Sequence, residues 1–479
     1  MIKNFKWVVL VSLTFMACTN DDTTTTGEAP VTAGTADFSK YVAIGDSFAA
    51  GYSDGALFKK GQENSYPNLL AQQFAAAGGG VFSTPFMAAD NVGGFSAGGV
   101  QVVSQRLYLE SSSGTPTPTL VPGVSANTLT ERLTGTFNNL GIPGAKSFHL
   151  LFNGYAPLNP YFKRIASSTT ATVLGDALSQ NPTFFSLWIG GNDELGYATN
   201  GGVPTSQDAV NGNDLTPTAN FTAAYNALAT QLAANGRKGV VANLPYVTAL
   251  PYFTAVPFNP VPLNAATATL LNSGYAQYNG GLALAQNAGL ITAAEKTRRT
   301  INFAAGQNAV VMVDSYLTNL STLGLPSLRQ ATNADLLVLP SRSIIGTAVG
   351  GNPAQVNGLS VPLEDKWVLS SNEVAEVKVA TDAYNLVIQA AATANNLAFV
   401  DAKSVMDQLS TTGIDFNSYN MTSTYVTGGA FSLDGVHPSA RGYALITNLF
   451  IDAINAKYGS TLKKKDGRDY QILFPKVIN

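Results

Sequence analysis

Tyr41-Val42-Ala43-Ile44-Gly45-Asp46-Ser47 runs an apolar, strand-like stretch straight into a serine. Apolar runs of the same kind recur at residues 136–140, 183–189, 239–244, 310–313 and 397–401. Helical patterns follow or intervene at 66–77, 219–234, 264–287, 371–394 and 440–458. Strands separated by helices imply a parallel sheet covered on both faces. In such sheets ligands bind beyond the carboxyl ends of the strands. Ser47, Gly144 and Asn192 each fall just past such an end.

A hydroxyl is a poor nucleophile at neutral pH. It needs a base within hydrogen-bond reach, and that base needs a third group to fix its tautomer. The chain has only two histidines. His437 sits in the polar turn Asp434-Gly435-Val436-His437-Pro438, where one turn brings the Asp434 carboxylate to Nδ1 and leaves Nε2 for the serine. His149 lies in the apolar run Phe148-His149-Leu150-Leu151-Phe152 with no carboxylate nearby, and reads as a packed or pocket-lining ring. Asn139-Leu140-Gly141-Ile142-Pro143-Gly144 offers a glycine loop with backbone N–H groups, and Gly190-Gly191-Asn192-Asp193 presents an amide. Donors fixed at strand ends suit the oxyanion of an ester's tetrahedral intermediate. Asp46 and Asp193 read as partners of neighbouring backbone.

Ser47, Gly144, Asn192 and His437 come in the order and context of the blocks of the SGNH (GDSL-type) hydrolases, a family the chain resembles closely. Its first block is Gly-Asp-Ser, with Phe48 where many members carry Leu; the others are Asn-x-Gly-x-x-Gly, Gly-x-Asn-Asp and Asp-x-x-His-Pro. The resemblance implies a three-layer α/β/α, flavodoxin-like fold with a parallel sheet of about five strands. It implies a serine esterase or lipase with catalytic Ser47, His437 and Asp434. The oxyanion would be held by the backbone N–H groups of Ser47 and Gly144 and the side chain of Asn192. The substrate would be a small-molecule, lipid or acylated-glycan ester. Two other readings stand beside it: an acyltransferase acting on glycan or lipid hydroxyls, and a non-catalytic glycan- or lipid-binding surface lipoprotein. Gly94-Phe95-Ser96-Ala97-Gly98 also fits a nucleophile-elbow pattern, which has meaning only between a strand and a helix. Here a strand-like run follows it, so Ser96 reads as part of a glycine-rich loop.

The spacing between blocks is long, which points to one hydrolase domain over 38–458 with insertions at about 82–135 and 245–365. Two segments compete as the last strand, 310–313 and 397–401; the second is taken, since the block with His437 follows it. Residues 459–479 read as a C-terminal tail.

Lys3 and Lys6 precede an apolar core over residues 7–17 that is too short to span a bilayer. It ends at Cys18, the only cysteine, which resembles the lipidated first residue of a bacterial lipoprotein. Residues 1–17 are then a signal peptide and 18–37 a flexible tether. The acidic Cys-Thr-Asn-Asp-Asp start resembles that of Bacteroidetes surface lipoproteins, which implies an outer-membrane protein facing the periplasm or the cell surface.

Charged residues make up 12% of the chain, about half the ~25% usual in globular proteins. Net charge is −3, and the one basic cluster is Lys463-Lys464-Lys465, so nucleic-acid binding has little electrostatic support. Two distant histidines and one cysteine suggest no metal site. There is no phosphate loop or dinucleotide fingerprint, so no cofactor is expected.

Overall fold

The computed structural model describes residues 30–112, 114–205 and 212–478. Its centre is a sheet of β1 (Tyr41–Gly45), β2 (Asn139–Gly141), β3 (Phe184–Trp188), β4 (Lys238–Ala242) and β5 (Ala398–Val400). The strands lie in the order β2-β1-β3-β4-β5 and every pair is parallel. β1 and β3 are buried along their whole length, so neither shows the alternation of a half-exposed strand.

The principal helices are α1 (Ser47–Ala50), α2 (Tyr66–Ala75), α3 (Asn192–Thr199), α4 (Thr218–Ala233), α5 (Ala265–Asn287), α6 (Ser371–Ala394), α7 (Ala402–Thr411) and α8 (Ala440–Tyr458). From β1 the chain moves to one side to reach β2, then back past β1 to β3, β4 and β5. Right-handed crossovers therefore put α2 on one face and α4 and α6 on the other. α8 returns to pack on α2, while α4 packs on α6. Serine caps start three of these helices. Ser65 accepts the Asn68 N–H with Pro67 in the first turn, Ser439 accepts the Gly442 N–H, and Ser370 forms a capping box with Glu373.

Register aligns the strand ends. Gly45 stands opposite Gly141 on one side and Trp188 on the other, so the loops carrying Ser47, Gly144 and Asn192 leave one edge together. The connections leave β1 for β2 on one side and return to β3 on the other, so this edge is the switch point where such sheets take ligands. Gly141 permits it: a Cβ there would run into the Ala50 backbone of α1.

The competing last strand belongs to the second insertion, where Val311–Val313 pairs antiparallel with Leu328–Gln330, and β5 closes the sheet. This insertion packs its own apolar cluster, including Tyr278, Leu282, Ile301 and Phe303. Buried Arg329 ties it together, with Nε donating to Asp314 at 2.5 Å and both terminal nitrogens to Asp335 at 2.6 Å. Asp335 also accepts the Ser371 N–H at the start of α6, which joins the insertion to the sheet domain.

Three expectations need correction. The strand expected at 136–140 forms at Asn139–Gly141, because the Asn139 side chain bonds the Ala49 carbonyl and the Asn138 side chain accepts the Ser83 N–H, which fixes the approach as irregular chain. Ser96 lies in a hairpin strand, Phe95–Ala97, paired with Val100–Val103, and not in a loop. The tether is shorter than 18–37. Thr35 N–H donates to the Tyr458 carbonyl at 2.8 Å, Thr32 N–H to Thr461 Oγ1 at 2.8 Å, and Ala36 is buried. The signal segment and Cys18 lie outside the described residues. The last segment is packed as well: Leu462 and Phe474 are buried, and the Arg106 guanidinium donates to the carbonyls of Pro475 and Lys476.

Candidate active site

β1 ends in Gly45, and Asp46 caps the short α1 by accepting the Phe48 N–H at 3.0 Å. This turn places Ser47 at the first helical position, where backbone N–H groups have no partner within the helix. From the far end of the sequence, the turn before α8 brings His437 over it. His437 Nε2 lies 2.8 Å from Ser47 Oγ, and Nδ1 lies 2.8 Å from Asp434 Oδ2. The histidine ring stands between Tyr52, 4.5 Å between centroids, and Phe48, 5.5 Å.

Asp434 is held from several directions. Its Oδ1 accepts the N–H groups of Val436 and His437 and the Ser432 hydroxyl, and its Oδ2 also accepts the Gly55 N–H at 2.8 Å. Burial works against the charged form, but the His437 imidazolium and these donors outweigh it and hold the carboxyl at about 2. An ionised Asp434 keeps the imidazole proton on Nδ1, which leaves Nε2 to accept from Ser47. The arrangement can therefore draw a proton from the serine and stabilise the cation that forms.

On the other side, Gly144 sits at φ +80°, a backbone conformation that side chains beyond glycine rarely adopt. Asn192 donates through Nδ2 to the Ala145 carbonyl at 3.0 Å. That uses one of its two amide hydrogens and leaves the other for a ligand. The two loops are bound together by Asp193, which accepts from the Ser147 N–H and hydroxyl, each at 2.8 Å. Lys146 reaches away, donating to the carbonyls of Gly212 and Asp214.

The two rival residues are placed apart from this chemistry. His149 is buried and stacked on Tyr155 at 4.4 Å, and its Nδ1 accepts the Lys146 N–H. Ser96 is buried and donates to the Asn127 carbonyl.

Sequence reasoning missed the support beneath Asp434. The Ser53-Asp54-Gly55 turn grips the 432–438 segment at four points. Ser53 donates to the Pro438 carbonyl, the Asp54 N–H to Ser432 Oγ, and the Gly55 N–H to Asp434, while the Asp54 carboxyl accepts the Leu433 N–H. The available signal was a polar Ser-Asp-Gly turn soon after the serine block. Without the fold nothing in the sequence links it to residues nearly 400 positions away.

Several buried carboxyls around the site carry raised pKa values. Burial pushes Asp46 and Asp54 up to about 7, and Asp193 up to about 6; in Asp54 the nearby Asp434 charge adds to burial. All three lie above the ~3.9 of an unfolded aspartate, so the folded state favours their neutral forms. The stability they contribute is fully present below about pH 4 and is lost as pH rises through about 6–7. Asp434 has the opposite sign, but its effect is confined to the range below about pH 4. The midpoint of thermal unfolding should therefore fall between about pH 5 and pH 8, and Asp54→Asn should flatten part of that slope. A midpoint that rises over this interval would contradict the assignment.

The family model described as GDSL-like Lipase/Acylhydrolase matches residues 41–450. No curated protein matches the chain. Among solved structures, the chain is similar to an alpha/beta hydrolase enzyme from the metagenome of Lake Arreo, at 10% identity and a TM-score of 0.36, covering 88% of this chain and 96% of that one. It is also similar to an acetylxylan esterase from Geobacillus stearothermophilus, at 12% identity and TM-score 0.34, over 88% and 96%. An extracellular lipase from Streptomyces rimosus matches at 14% identity and TM-score 0.30, over 87% and 98%.

Proposed function

The chain belongs to the GDSL-like lipase/acylhydrolase family, and from that premise we propose that it is a serine ester hydrolase acting through Ser47, His437 and Asp434. The observation that carries the reading is the unbroken row from Ser47 Oγ through His437 to Asp434, with both links at 2.8 Å. Ser47 Oγ attacks the ester carbonyl carbon while His437 Nε2 takes its proton. The carbonyl oxygen becomes an oxyanion and accepts from the N–H groups of Ser47 and Gly144 and from the Asn192 amide. Collapse of the intermediate breaks the bond to the alkoxy oxygen, which receives the proton from His437 and leaves as the alcohol. Water then attacks the acyl-enzyme, His437 takes its proton, and collapse returns that proton to Ser47 Oγ as the acid departs.

The test is turnover of nitrophenyl esters by the full chain, with products identified in the presence and absence of added glycerol or sugar. Free acid as the main product in both supports the hydrolase. Acylated acceptor as the main product would move the assignment to acyl transfer, and no turnover together with tight ester binding would favour a binding protein.

We also propose that Cys18 carries a lipid anchor to the outer membrane. The support is the segment itself, two lysines and an apolar core ending at the single cysteine. Among the described residues no helix is long and apolar enough to cross a membrane. Cys18→Ser should move the protein out of the membrane fraction and leave catalysis intact, because the site is built from Ser47 onward. Multiple acyl chains make such attachment durable where one is marginal. Mass spectrometry of the mature N-terminus checks this: an unmodified start downstream of Cys18 would remove the anchor.

A further inference from the structure

The catalytic turn and the N-terminal segment stand at opposite ends of one helix. α8 begins at Ala440, just past His437, and ends at Tyr458. There the N-terminal segment is pinned: the Tyr458 carbonyl accepts the Thr35 N–H, and the Thr32 N–H donates to Thr461 Oγ1. The 19 residues of α8 put roughly 28 Å between the two ends, at ~1.5 Å per residue. The sheet has the same polarity. Ser47 leaves the carboxyl end of β1, whereas the Tyr458 hydroxyl donates to the Gly239 carbonyl at the amino end of β4. The Lys40 N–H donates to Thr183 Oγ1 at the amino ends of β1 and β3.

Covalent geometry limits how far the body can turn on its tether. Cys18 and Thr32 are 14 residues apart. A chain covers at most ~3.6 Å per residue, so the tether reaches about 50 Å at full extension. A globular body of this length has a radius of about 29 Å. For the Ser47 side to face the bilayer, the tether would have to pass from the far pole over the flank and down, roughly 75 Å for that radius. The reach falls short.

The chemistry of the pinned edge suits a membrane surface. Lys40 and Lys457 are exposed there, and Arg237 and Lys238 line an open groove together with Thr35 and Asp37. Lys457 donates to the Asn396 side chain, Lys238 to the Thr35 carbonyl, and Arg237 to the carbonyls of Gln231 and Leu232. Those partners are neutral, so the positive charges remain. Asp37 is the carboxylate among them, within the field of Lys40. Each cation close to an anionic leaflet is worth about fivefold in binding.

Resting on the lipid-anchor proposal, we infer that the amino edge of the sheet is the face this protein lays against the phosphate-bearing headgroups of its membrane, with the catalytic side held outward. Lys40, Arg237, Lys238 and Lys457 meet the headgroups. Ser47 works on esters presented from the aqueous side, and the lipids of the bilayer that holds the anchor are out of its reach.

The experiment places a dye at each end of the lipidated full chain. Ala456→Cys is exposed on the last turn of α8, and Ser343→Cys is exposed on the turn whose Leu339 lies against Gly435. Cys18 is the natural chain's one cysteine and carries the lipid, so each variant offers one free thiol. The proteins are reconstituted in vesicles of phosphatidylcholine with phosphatidylglycerol, and in phosphatidylcholine alone, each with a headgroup-labelled acceptor lipid. With roughly 28 Å between the ends of α8, energy transfer on the mixed vesicles should be about threefold or more stronger from the Ala456→Cys dye. Lys40→Gln, Arg237→Gln and Lys457→Gln together, or high salt, should lower that transfer to the level found on phosphatidylcholine alone. Equal transfer from the two dyes, or stronger transfer from Ser343→Cys, would overturn the orientation while the anchor stands. Transfer from Ala456→Cys that ignores lipid charge, salt and the three substitutions would overturn the headgroup contact. Failure of the chain to attach to either vesicle sinks the anchor, and the orientation with it.

Discussion

Ser47→Ala and His437→Ala should each lower kcat/KM for a nitrophenyl ester by on the order of 10³-fold or more, with little change in folding. Each such loss corresponds to roughly 4 kcal/mol or more of transition-state stabilisation. The two losses should not add. Without Nε2 the hydroxyl is not activated, and without the hydroxyl the base has nothing to deprotonate, so the double variant should be about as slow as either single one. Ser96→Ala and His149→Ala should retain most of the activity, since Ser96 is engaged with Asn127 in a hairpin and His149 with Lys146 and Tyr155. Steady-state kinetics on all five proteins, each checked by circular dichroism, decides the matter. Near-normal turnover by Ser47→Ala would end this account.

The second large effect is expected at Asn192. Its amide donates once to the Ala145 carbonyl and keeps one hydrogen for the oxyanion. Removing one oxyanion donor costs about 10²- to 10³-fold in kcat. Because the negative charge develops only in the transition state, KM should change little when kcat falls. Asn192→Ala is therefore predicted to show a kcat defect of that size with nearly unchanged KM. A pure KM effect would make Asn192 a ground-state binding residue instead. Thermal unfolding of the variant separates this effect from loss of the bond to Ala145, since a loosened loop lowers the midpoint while a lost donor need not.

Much of the fold was legible because local patterns and long-range architecture agree. β1 forms over the residues its apolar run announces, and α6 and α8 begin at Ser370 and Ser439, whose caps can be read directly. The choice between two last strands also came out correctly, because the motif with His437 had to follow the closing strand. Less legible was everything fixed by tertiary contact. The short β2 is set by asparagine side chains reaching Ala49 and Ser83, which no periodicity encodes. Residues 32–36 look like linker in composition, yet they are pinned to the end of α8. The meeting of Ser47, Asp434 and His437 could be anticipated from motif chemistry. The Ser53-Asp54-Gly55 clamp beneath them depends on packing between segments far apart in sequence.

The most direct measurement is the site of covalent capture by a fluorophosphonate. A phosphonyl group bonds to an activated serine oxygen and displaces fluoride, so it reports the nucleophile without assuming a substrate. Intact-protein mass spectrometry of the wild type should show one adduct, peptide mapping should place it on Ser47, and His437→Ala should react far more slowly. No adduct, or an adduct at Ser96 or any other serine with Ser47 unmodified, would contradict the account.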